Sequence, residues 1–127
     1  GTMKLGSGAF EGPFSFSTRF EEEPGTNPEE LIGAAYAGCF SMALSAGLEK
    51  NGTPATSVTT SGNVHLTPAD GGGMEISKIV LVVNATVADV DEAKFNEIVE
   101  GTREGCPIGK LLKGGTAELV IDATLQS

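Results

Sequence analysis

Fourteen consecutive residues, Leu31 to Leu44, carry no charge on any face. They are framed for a helix. Asn27 is a favoured N-cap, Pro28 suits the first helical position, and Glu29 and Glu30 put negative charge on the first turn. Glu30 also stands three residues past the cap, the spacing of a capping box. The helix is expected to run to Lys50, with Asn51-Gly52 as its stop. A helix that is apolar all round is expected to be buried all round, so the rest of the chain must be built to surround it. Ala34, Ala37, Gly38, Ser41 and Ser45 form a small-residue stripe on which another helix could pack closely.

The other segments supply walls. Residues 1–22 read as extended, with Phe14, Phe16 and Phe20 on a core face and Arg19 on the opposite one, next to the acidic turn Glu21-Glu22-Glu23. Residues 56–67 and 74–88 read as two strands joined by a glycine-rich loop, a long hairpin. The continuous run Ile79-Val80-Leu81-Val82-Val83 predicts a central strand covered on both faces. A second helix spans about Asp91 to Glu104 on the inner stripe Phe95, Ile98 and Val99. A short one starts at Pro107 and runs through Lys113, which puts Cys106 near its N-cap. A final strand, Thr116 to Leu125, turns Ala117, Leu119, Ile121 and Ala123 inward. With no repeat and no linker, residues 1–127 form a single α+β domain, with antiparallel sheets around a long buried central helix.

Composition excludes several function classes. Seventeen acids against eight bases give a net charge of −9, and no basic stripe interrupts it, so nucleic acid and anionic membrane are poor partners. No apolar run approaches the ~18 residues of a spanning helix and no leader opens the chain, so a soluble, cytoplasmic protein is expected. Two cysteines and one histidine are too few for a zinc site or a disulfide scaffold, and no metal or other cofactor is expected. Chemistry then falls to thiols, carboxylates and arginines.

Two readings of the cysteines stand at this point. Both could be small buried hydrophobes. Alternatively, Cys106 at a helix N-cap sits where N–H groups and the helix dipole favour a thiolate. Cys39, in mid-helix, gains little from its own dipole and would need a cation from elsewhere, for which Arg19 is a candidate. Arg19 also reads as a solvated strand residue paired with Glu21 or Glu23. On its residues alone Glu29 reads first as a dipole partner in the first turn, and His65 as a surface strand residue rather than a general base.

Asn27-Pro28-Glu29-Glu30-Leu31, leading to Ala37-Gly38-Cys39-Phe40-Ser41-Met42-Ala43-Leu44, with Gly105-Cys106-Pro107 near the end, strongly resembles the OsmC/Ohr family. These are the osmotically inducible protein C and organic hydroperoxide resistance proteins. Thr18-Arg19-Phe20-Glu21 and Gly25-Thr26-Asn27-Pro28 look like the OsmC branch. The resemblance implies a thiol peroxidase acting on organic hydroperoxides and hydrogen peroxide. In it Cys39 is peroxidatic, Cys106 resolves it as a disulfide, Arg19 steadies thiolate and peroxide, and Glu29 anchors Arg19. It also implies an external dithiol reductant, lipoyl-type or thioredoxin-type, an intertwined homodimer, and a further strand ahead of Gly1. A redox-sensing or ligand-binding protein of the same fold, without turnover, is the alternative. Tyr36 is a departure, since OsmC proteins often carry His there.

One helical constraint bears on the dimer. Glu29 and Cys39 are ten residues apart, so at 1.5 Å per residue they lie roughly 15 Å apart along one helix. If both act on one peroxide, Glu29 serves the Cys39 of the other subunit, and the site is interfacial.

Overall fold

Asn27 adopts an extended conformation and its side chain accepts a hydrogen bond from the Glu30 N–H at 2.7 Å, which starts the central helix α2, Pro28–Lys50. The Glu30 carboxylate accepts from Thr26 Oγ1 at 2.7 Å, tying the preceding loop to the same turn. In the computed structural model, which describes residues 1–20 and 25–127, α2 lies across a three-stranded sheet. The sheet has the order β3 (Ala55–Pro68), β4 (Met74–Val87), β5 (Glu118–Gln126). Ahead of α2 come β1 (Thr2–Lys4), β2 (Glu11–Pro13) and α1 (Phe16–Phe20), and between β4 and β5 come α3 (Glu92–Gly105) and α4 (Pro107–Leu112).

β4 is the central strand, as its apolar run predicts. Ile79, Leu81, Val83, Ala85 and Val87 form the buried face, while Val80 and Val82 on the other face are half-buried. β3 and β4 pair antiparallel as a long hairpin closed by Ala69–Gly73, where Gly71, Gly72 and Gly73 all take positive φ. β5 joins β4 in parallel rather than antiparallel. The reason is topological: the chain returns through α3 and α4, and a helical crossover delivers the next strand in the same direction.

Where α2 meets β3 the fit is backbone against backbone. A Cβ on Gly62 would lie 2.5 Å from the Gly33 carbonyl oxygen, and one on Gly33 3.1 Å from the Gly62 oxygen. Two residues after Cys39, Ser41 Oγ donates to Thr60 Oγ1 at 2.6 Å. This close approach is helix to strand and is made by Gly33, outside the small-residue stripe, of which Ala34 and Gly38 stay exposed.

Three further expectations change. The segment 14–20 is not a strand. Ser15 and Thr18 exchange hydrogen bonds, Ser15 N to Thr18 Oγ1 at 2.9 Å and Thr18 N to Ser15 Oγ at 3.2 Å, a reciprocal cap that winds 16–20 into α1. Phe14 and Phe16 are accordingly exposed rather than core. The Phe20 side chain and the acidic run Glu21 to Glu23 lie outside the described residues. α2 is not buried all round either: Tyr36, Phe40, Leu44 and Leu48 face the core, but Ala34, Ala35, Gly38 and Met42 are exposed, Met42 at 76%. Finally, α2 holds an 18-residue stretch of mean hydropathy 1.6, long and apolar enough by composition to cross a membrane. The serines and glycines that interrupt its apolar runs do not lower the mean below that level.

Substituting Gly62→Ala forces α2 off the sheet. Overpacking of this kind costs about 1–3 kcal/mol, so the denaturation midpoint should drop well below that of Gly105→Ala, whose Cβ meets nothing within 4 Å. Equal midpoints for the two variants would contradict the contact.

A paired thiol site and its neighbours

Pro107 sets the position of the second cysteine. The residue before a proline is pushed to extended backbone, and Cys106 takes φ −66° and ψ 117°. It thereby closes α3, its N–H bonding Thr102 O at 2.9 Å, and opens α4, its Sγ accepting from Gly109 N–H at 3.5 Å. That corner aims the Cys106 sulfur at the middle of α2. Cys106 Sγ lies 3.0 Å from Cys39 Sγ and donates its proton toward it. Both are free thiols, Cys106 fully buried and Cys39 half-buried.

The electrostatics of Cys106 run against its N-cap position. Burial pushes its pKa up from the ordinary thiol value of 9.0, and the hydrogen bond to Cys39 pushes the same way. The Gly109 N–H opposes both without overcoming them. The expected thiolate at this N-cap is therefore not favoured: Cys106 is a protonated donor at neutral pH. Tyr36, one turn before Cys39, is also buried. Burial raises its pKa above 10.0, Cys106 adding to the shift and Arg103 opposing it.

Arg19 and Glu29 lie elsewhere. Arg19 sits in α1, and its Nε pairs with the Glu29 carboxylate at 3.1 and 3.2 Å within the same chain. The pair lines a surface cavity of about 440 Å³ with Asn63 and His65, an exposed residue of β3. Because α2 is continuous, this cavity and Cys39 are separated by ten residues of helix, roughly 15 Å. A single chain thus joins Cys39 to Cys106 and Arg19 to Glu29, but does not join the two pairs. Among the described residues no three His, Cys, Asp or Glu side chains cluster to hold a metal ion. Tyr36 has surroundings that its own stretch of sequence does not disclose: Gly109 is packed so closely that a Cβ there would lie 3.3 Å from the tyrosine ring. The small residue two after Pro107 was the available signal.

The sequence and the fold both have known relatives. The family model described as OsmC-like protein matches residues 20–119. The chain is 44% identical to the protein named Peroxiredoxin OsmC of Escherichia coli, over all of its own length and 87% of the relative's. It is 37% identical to the organic hydroperoxide resistance protein OhrB of Bacillus subtilis, over 74% of this chain and 67% of that one. The crystal structure of OhrB superposes with a TM-score of 0.81 at 27% identity, covering 97% of this chain and 89% of the other.

The raised Cys106 pKa fixes the sign of a pH effect. On unfolding, the thiol regains its ordinary pKa of 9.0. Between that value and the higher folded one, the unfolded state has lost a proton that the folded state keeps. Stability is then level below about pH 9 and falls as pH rises above it, and Tyr36 adds a second decline above about pH 10. In reducing buffer Cys106→Ala should flatten the first decline. A variant whose denaturation midpoint falls between pH 9 and 10 as steeply as that of the wild type would refute this.

Proposed function

The chain belongs to the OsmC family, and on that premise we propose that it is a cytoplasmic, cysteine-based peroxidase that reduces organic hydroperoxides and hydrogen peroxide. The names of its relatives support a role in peroxide chemistry. The observation that carries the mechanism is the 3.0 Å separation of the two sulfurs, about 1 Å beyond a disulfide bond, so that side-chain rotation alone closes the gap.

Cys39, the more exposed thiol, reacts first as its thiolate. It attacks one oxygen of ROOH, the O–O bond breaks, and with one proton the products are ROH and Cys39 sulfenic acid. The Cys106 sulfur then attacks the sulfenic sulfur. Its proton and the sulfenic hydroxyl leave as water, and a Cys39–Cys106 disulfide remains. An external dithiol, lipoyl-type or thioredoxin-type, returns both thiols and itself becomes a disulfide. No cofactor enters this cycle.

Arg19, held by Glu29, supplies positive charge for the thiolate and for the oxyanion released from the peroxide. Since the pair stands roughly 15 Å along α2 from its own Cys39, it serves the partner subunit's Cys39 in a homodimer. The uncharged face of α2 around Ala34, Gly38 and Met42, exposed in the single chain, supports that assembly, because a twofold axis through it would bring each pair to the other thiols.

Stoichiometric peroxide without reductant should convert the wild type to a product lighter by two hydrogens. Cys106→Ser should instead gain one oxygen on Cys39, and Cys39→Ser should leave peroxide unconsumed in the presence of dithiothreitol. Peroxide turnover by Cys39→Ser would remove the proposal.

The division of residues between subunits has its own test. Arg19→Ala and Cys39→Ser chains, each nearly inactive alone, are mixed and reassembled. About half of the dimers are then mixed, each with one intact site, so roughly a quarter of wild-type activity returns. If Arg19 acted on its own chain's Cys39, mixing would restore nothing.

A further inference from the structure

Beside the thiol pair lies a cavity that the peroxidase cycle does not use. It measures about 430 Å³, and Tyr36, Arg103, Lys110, Lys113 and Leu119 are among its walls. The chain carries only eight lysines and arginines against seventeen acids, yet three of the eight meet here. Arg103 is held in place by Glu100 at 3.3 Å and by the Leu119 carbonyl at 3.3 Å. Lys113 reaches Glu104, another wall residue, only at 4.0 Å with both side chains exposed, a pairing worth little in water. Lys110 has no ion-pair partner among the described residues.

Tyr36 forms the inner wall. The residue is 1% exposed, but its hydroxyl has no hydrogen-bond partner among the described residues and is not sealed from solvent, so it opens into the cavity it lines. A buried phenol normally finds an acceptor. With its pKa raised by burial it keeps its proton at neutral pH and has it to donate. An inner O–H donor under a rim of cations is a receptor for an oxyanion, and Leu119 provides an apolar wall beside it.

We propose that this cavity binds a small oxyanion, a carboxylate attached to a short apolar chain, with Tyr36 Oη donating to it, Lys110 and Lys113 supplying charge, and Arg103 bracing the wall. The site is distinct from the thiol pair and its occupation does not depend on peroxide turnover. It is nevertheless adjacent to the thiols: Tyr36 packs against Gly109, whose N–H bonds the Cys106 sulfur.

Tyr36 is the only tyrosine and there is no tryptophan, so intrinsic emission reports this one side chain. Titrating the reduced protein with hexanoate should quench that emission saturably, because the carboxylate accepts a hydrogen bond from the phenol O–H. Inorganic phosphate, the same chemistry without the chain, should act more weakly. Sodium chloride at equal ionic strength and uncharged hexanol should have no effect. In Lys110→Gln/Lys113→Gln, surface changes that leave the core untouched, hexanoate should bind on the order of tenfold more weakly. Tyr36→Phe, followed calorimetrically, should also lose affinity while keeping a wild-type melting curve. Absence of saturable quenching by either anion, an equal response to hexanol, or an undiminished response in the double lysine variant would overturn the assignment.

Discussion

Everything that brings the two sulfurs together depends on α2 sitting directly on the sheet. Two glycines, Gly33 in the helix and Gly62 in β3, allow backbone to touch backbone. This contact sets the depth of the helix, and the Ser41–Thr60 hydrogen bond near Cys39 sets its rotation. With depth and rotation fixed, the inner face of α2 presents Tyr36, Phe40, Leu44 and Leu48 to β4 and α3, and leaves Cys39 at the edge between core and exterior. A thiol at that boundary can meet both a buried partner and an incoming substrate.

Pro107 completes the arrangement from the other side. By ending α3 and starting α4 it makes Cys106 both a C-cap and an N-cap, an extended residue whose side chain cannot follow either helix. The cost of burying a thiol there is low because a protonated sulfur is nearly apolar. The same burial keeps the proton in place and outweighs the N-cap hydrogen bond from Gly109. Position at a helix terminus and ionisation are thus separable: a terminus stabilises a thiolate only where water or a cation also reaches it.

What could be read from the sequence followed the locality of the physics. α2 and its Asn27 cap, the β3–β4 hairpin with its glycine turn, and the Cys106-Pro107 corner each rest on residues adjacent in the chain, and all stand where the pattern put them. The two cysteine motifs likewise carried the family. Less legible were features set by alternatives of nearly equal local energy or by long-range packing. Phe14 to Phe20 alternates like a strand, but the Ser15–Thr18 exchange of hydrogen bonds offers a helical turn, and the turn wins. The direction of β5 depends on a crossover and not on the composition of β5 itself. The one-sided burial of α2 is also invisible in its residues, since an exposed apolar face has the same composition as a covered one.

That last ambiguity bears on chemistry as well as assembly. Arg19 belongs to α1, which is held by its own cap and by the ion pair to Glu29 at the start of α2, whereas the thiols sit near its midpoint. In one chain the cation and the sulfurs occupy opposite stretches of a rigid rod, and no rotamer change spans about 15 Å. A twofold axis crossing the exposed face of the helix would reverse one rod against the other and lay each beginning beside the other's middle. Such an arrangement would separate the nucleophile from its electrostatic partner until two chains associate, so that an isolated chain would hold a disulfide-forming pair without the charge that speeds its first step. Dilution would then lower the rate of peroxide attack while leaving the closeness of the two sulfurs unaltered, a dissociation of the two properties that a site built within one chain would not display.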